Sequence, residues 1–182
     1  MPKISVETKE KIQSLSKADL ENIVVKFAGK DKIFYDYLLV NYLNKEDGDQ
    51  ILFEEAKSDI ERLFVKRYKG FSEELQLANM LAACTKRINE FTKVTKNKNL
   101  EADLLLHVLN VPFSMSGNLF GTCFTAYDNK VANMLKRLIN VVKNKLHPDY
   151  QIEYQETIND YLNILHRRSS FLNSVYALPK SI

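Results

Sequence analysis

Apolar residues recur at spacings of three and four through seven successive segments of this chain, and nowhere do they alternate with the period of two that a half-buried strand needs. A chain patterned in this way must bury one stripe of each helix against another helix. The turn residues agree. Five Gly and four Pro in 182 residues are too few for the many tight turns of an all-β fold of that size. The expected fold is therefore all-α, with about seven helices arranged as stacked antiparallel helical hairpins or as an irregular helical bundle. Connectors of about two to six residues favour packing between sequential helices. No fixed-period repeat points to a named solenoid class.

Ser16 followed by Asp19 forms a capping signature for a first helix carrying Leu20, Ile23, Val24 and Phe27, which Gly29 closes. Asp31 caps a second helix with Ile33, Phe34, Tyr35, Tyr37, Leu38, Leu39, Val40 and Tyr42, apolar almost all round and so expected at the centre of the fold. After a connector at 44–49, the positions Phe53, Ala56, Ile60, Leu63 and Phe64 make one stripe on a helix over 50–68, ended by Gly70. Ser72 opens a fourth helix, in which Leu77, Leu81, Cys84, Ile88 and Phe91 form a packing seam. The polar run 95–99 reads as the clearest internal linker. Beyond it a short helix carries Leu100, Leu104, Leu105, Val108 and Leu109, with Pro112 expected to stop it and 112–117 to form a loop. A long helix is expected from Asn118, through Phe120, Cys123, Phe124 and Tyr127, to Val142. Pro148 opens the last helix, built on Tyr154, Ile158, Tyr161, Leu162 and Leu165.

Length favours one domain over 1–182, with possible sub-units 1–95 and 99–182 and frayed ends at 1–13 and 177–182. The opening 20 residues hold no signal-peptide core, and no segment approaches the apolar length of a membrane span. A cytoplasmic protein is expected, with no membrane association. Two isolated cysteines within apolar stretches, Cys84 and Cys123, read as buried free thiols of a reducing compartment.

Within 14–43, the residues Leu15, Ser16, Leu20, Asp31, Leu38 and Leu39 reproduce a pattern in which one helix begins at Leu-Ser-x-x-x-Leu and the next begins near an Asp and carries a Leu-Leu pair. In this respect the segment resembles the N-terminal helical hairpin of several uncharacterised bacterial all-helical families, domains of unknown function. The resemblance implies a helical domain with no assigned activity. Such hairpins also occur beside SWIM-type zinc fingers, whose Cys-x-Cys and Cys-x-His pairs this chain lacks.

Catalytic and metal signatures are missing from the sequence. His107, His147 and His166 have no His, Cys or paired acid at ligand spacing, there is no Glu-x-x-His pair, and Gly117 to Gly121 lacks the Lys-Ser/Thr of a phosphate loop. No cofactor or metal is expected. His107 is expected against leucine side chains, beyond hydrogen-bonding distance of any carboxylate.

Charge is uneven. Residues 1–60 carry 9 Lys/Arg against 12 Asp/Glu, and 61–182 carry 17 against 11. Nine basic residues in 62–98 face three acids, and five in 130–145 face none. Lys86, Arg87, Lys93, Lys96, Lys136 and Arg137 are the candidate contacts of a surface for nucleic acid or another anion. The plainer reading is a solvated polar face, with cations gathered near helix C-termini.

Three functional classes follow. The first is a non-catalytic helical module for protein–protein interaction or self-association, suggested by more apolar surface on the second helix than one stripe can bury. The alternative is nucleic-acid or anion binding through 62–98 and 130–145. An enzyme whose site assembles from distant helices is the third.

Overall fold

The computed structural model describes residues 4–115 and 119–182. Among the described residues every regular element is helical: α1 (Val6–Gln13), α2 (Lys17–Ala28), α3 (Lys32–Leu38) with a π-helical turn over Leu39–Leu43, α4 (Gly48–Phe64), α5 (Glu73–Val94), α6 (Lys98–Ser114), α7 (Thr125–Lys145), α8 (Pro148–Ser169) and α9 (Asn173–Tyr176). The two helices beyond the expected seven, α1 and α9, lie at the ends. No described helix is long and apolar enough to cross a membrane.

The chain divides into two compact units, Met1–Gly48 and Asp49–Ile182, and the connector at 95–99 lies within the second. That linker is too short and too well capped to separate anything. Asn97 accepts the amides of Asn99 and Leu100 to start α6, and Thr95 is buried.

In the first unit, local capping chemistry makes the helices. Ser16 Oγ accepts the Asp19 amide at 3.1 Å, and Asp31 Oδ1 accepts the Phe34 amide at 3.0 Å. Phe27 and Phe34 meet edge to face, 5.1 Å between ring centroids, where α2 packs on α3. After Leu38 the helix widens, so that the Asn44 amide donates to the Leu39 carbonyl at 2.8 Å. Gly48 then passes so near the turn that a Cβ would lie 2.8 Å from Val40 Cα. Among the described residues of this unit no apolar side chain is fully buried. The second helix, expected at the centre, instead leaves Tyr35, Tyr37 and Tyr42 exposed. The expected frayed start is helical from Val6, with every residue of α1 exposed.

The second unit has a conventional interior with α7 at its middle, packed on by α5, α6, α8 and α9. Val131, Leu135, Leu138 and Val142 of α7 have no exposed surface, nor do Leu81, Cys84, Ile88 and Phe91 of the predicted α5 seam. Each such side chain contributes about 1.5–3 kcal/mol by leaving water. From α8, Ile158, Leu162 and Leu165 complete this core. On α4 the buried face is Leu52, Ala56 and Ile60, with Phe53 half-buried.

Three local expectations fail for identifiable reasons. Pro112 does not stop α6, which continues to Ser114 with Pro112 buried. A proline so near a helix end forfeits one backbone bond while its ring gains core contacts. The long helix begins at Thr125 and not at 118, because Gly121 adopts a left-handed φ of +74° beside the Arg168 carbonyl. Residues 116–118 of the expected loop and helix start lie outside the described residues. The tail expected to fray is tied back: Leu178 is buried, and Ile182 exchanges backbone bonds with the Asn159 and Gln155 side chains.

Candidate functional site

Of the six basic candidates the four lysines are exposed and the two arginines are not. Lys86 is exposed on α5, whereas Arg87, one residue on, is buried, and its Nε donates to Asp59 Oδ2 of α4 at 2.8 Å. Lys93 lies exposed near the end of α5 and Lys96 in the connector. On α7, Lys136 is exposed, but Arg137 turns inward. Its Nε and Nη2 donate to Glu101 Oε1 at 3.0 and 2.7 Å, and Nη1 donates to Asn89 Oδ1 at 2.6 Å. Both arginines thus bond carboxylates of neighbouring helices, Arg137 through all three guanidinium nitrogens counting Asn89 and Arg87 through Nε alone, while the lysines remain in solvent.

Glu101 is the acid that makes this possible. It sits one turn into α6, is 4% exposed, and receives Lys98 Nζ at 2.6 Å in addition to Arg137. Burial alone would raise its pKa, yet the bonds and charges of Lys98 and Arg137 outweigh it and hold the carboxyl below its ordinary value. The i,i+3 relation of Lys98 to Glu101 is legible in the sequence, but the cross-helix partner Arg137 is not.

A second buried acid, Asp128, has no exposed surface and lies in the first turn of α7, where the helix dipole favours a carboxylate. Its Oδ1 accepts the Gly121 amide at 2.9 Å and the Ser169 hydroxyl. Neighbouring Tyr127 is buried with its hydroxyl unbonded, and burial first, then Asp128 and the acids Glu73 and Glu74, push its pKa upward. Asp103 accepts the Tyr154 hydroxyl at 2.6 Å.

His107 is half-buried on α6 with its ring 5.5 Å from that of Phe64, an aromatic neighbour where leucines were expected. Its Nε2 lies 3.5 Å from Glu61 Oε1 and makes no hydrogen bond. Burial and then Lys57 lower its pKa against the opposing pull of Glu61, so the surroundings disfavour the protonated ring. His147 caps α8 by accepting the Asp149 amide, and His166 meets the Pro179 carbonyl at 3.0 Å. Among the described residues no three His, Cys, Asp or Glu side chains come together to hold a metal.

Of the cysteines, only Cys84 is buried as expected. Cys123 is exposed, because its segment is a loop and not the helix that would have placed it inward.

A set of exposed apolar side chains lies in the first unit. Ile23, Val25 and Phe27 of α2 are 52%, 73% and 51% exposed, and Tyr42 and Leu43 of the π-helical turn are 62% and 69% exposed. Single exposed hydrophobes are normal, but a unit with such a set and no fully buried apolar side chain among its described residues is not. No family model, curated protein or solved structure matches the chain.

Proposed function

We propose that this chain is a helical protein–protein interaction module whose 1–48 unit supplies the contact surface, to a second copy of itself or to another protein with an apolar helical face. The exposed apolar set on α2, α3 and the π-helical turn carries this reading. A unit of this size needs buried apolar area to offset the entropy of ordering its backbone, and among the described residues of the first unit Leu20, Phe34, Leu38, Leu39 and Val40 are only half-buried. An interface offers that area. The second unit, taken as an irregular bundle about α7, serves as the stable platform. Nucleic-acid binding is the weaker reading, since Arg137 is held by Glu101 and the Arg87 side chain, 9% exposed beside Asp59, does not stand out toward a nucleic-acid backbone.

Sedimentation velocity from about 1 µM to about 1 mM, the range of affinities near 4–8 kcal/mol, tests self-association first. A mass that rises with concentration in the natural chain and stays monomeric in Ile23→Glu/Val25→Lys is the expected result. Both positions are exposed, so these substitutions leave the helices intact. A strict monomer, combined with no loss of apolar-dye binding in the double variant, refutes the proposal.

A further inference from the structure

Independently of that reading, α4 and α5 of the second unit enclose an open groove of ≈ 430 Å³. From α4, Asp59, Arg62 and Leu63 line one side. The other side holds Ala83, Lys86, Arg87 and Glu90 of α5. Three cations thus face two acids.

The charges within the groove are unequally matched. Asp59 is already shared by two guanidinium groups, accepting Arg87 Nε at 2.8 Å and Arg62 Nη1 at 3.4 Å. The Arg87 side chain is 9% exposed, yet its Nη2 has no acceptor at all. A buried charged donor without a partner is costly, and buried polar groups in folded proteins are nearly always bonded. Lys86 stands exposed beside it and adds a mobile second charge. Between these polar groups the walls are the hydrocarbon of Leu63 and Ala83.

We propose that this groove binds a small organic monoanion, a carboxylate carried on a short apolar stem, with the Arg87 guanidinium as its anchor, Lys86 and Arg62 as rim charges, and Leu63 and Ala83 against the stem. The surplus of one positive charge suits a monoanion. A polyphosphate backbone needs a track of cations, and neither Lys96 nor Lys136 reaches the groove. Volume agrees, since sites for small ligands occupy roughly 300–1,000 Å³.

Titration of the full chain with sodium hexanoate, followed by amide chemical shifts at fixed ionic strength, tests this directly. Saturable shifts confined to α4 and α5 are expected, with none from neutral hexanol. Lys86→Glu weakens binding by about threefold and Glu90→Gln tightens it by a similar factor, as befits rim charges. Arg87→Lys keeps the charge but loses the fork, and weakens binding at least about tenfold. Because Lys86 is exposed and Glu90 half-buried, those two variants decide the matter even if Arg87→Lys unfolds. Absence of saturation by about 10 mM, or equal affinity in natural chain, Lys86→Glu and Glu90→Gln, overturns the proposal. Inorganic phosphate bound as tightly as hexanoate would refute the carboxylate and its stem.

Discussion

Ser169, the last residue of α8, gives its hydroxyl hydrogen to Asp128 Oδ1, so that a carboxylate with no exposed surface holds the end of one long helix against the beginning of another. The same oxygen accepts the amide of Gly121, fixing the loop that precedes α7. Asp128→Ala removes the acceptor for both donors and is expected to cost about 3 kcal/mol in urea unfolding. Asp128→Asn keeps one carbonyl oxygen and costs less than half of that.

Gly121→Ala strikes the same knot from the other side. A Cβ at this position would sit 2.4 Å from the Arg168 carbonyl oxygen, on a backbone already at φ +74°. Clash and left-handed strain together are expected to cost about 2 kcal/mol or more, read as a lower urea midpoint at unchanged slope. A midpoint within error of the natural chain refutes the close approach.

Acid stability reports on Glu101 and His107 in separate windows. Lys98 and Arg137 depress the Glu101 pKa below its ordinary value of 4.5, so its stabilisation is complete above that pH and is lost as pH falls through the depressed folded value. Arg137→Met removes the main partner and flattens stability below pH 4.5. His107 also has a lowered folded pKa, from 6.5, so the unfolded chain binds the extra proton and stability declines as pH drops below 6.5. His107→Phe abolishes that decline between about pH 7 and 5 while leaving the Glu101 region intact. Unfolding curves at several pH values separate the two.

Thiol titration distinguishes the cysteines. Cys123 is exposed and reacts with a disulfide reagent in the folded protein; Cys84 is buried, its thiol pushed up to about 12 by the loss of solvent. One equivalent is expected in buffer and two in denaturant. Two fast equivalents in buffer would show that α5 opens readily.

Mobility-shift titration with mixed DNA and RNA at physiological salt is expected to show no complex below about 10 µM protein, since only the lysines among the six candidates are free of internal carboxylates. A shift that disappears when Lys86, Lys93, Lys96 and Lys136 are replaced by Glu would restore nucleic acid as the leading reading.

The helical fold was legible because capping and periodicity are local. Ser16, Asp31 and Ser72 each cap the helix expected of them, and Leu81, Cys84, Ile88 and Phe91 of the α5 seam are buried where their spacing places them, with Leu77 half-buried. What could not be read depends on distant residues. No pattern within α6 or α7 reveals that Glu101 and Arg137 meet 36 positions apart, or that Asp128 reaches Ser169 across 41. The greasy stretch around Tyr37 misled for a related reason: composition states how much apolar surface exists, not which body covers it.

A unit without a fully buried interior has a thermodynamic signature of its own. Heat-capacity change and denaturant slope both scale with area uncovered on unfolding, and the described part of the 1–48 unit has only half-buried apolar side chains to uncover. Far-ultraviolet circular dichroism, which counts helix whether or not it is packed, registers α1, α2 and α3 all the same. Melting followed by dichroism should therefore begin below the calorimetric transition in dilute solution, and the gap between the two curves should close as the 1–48 surface is covered.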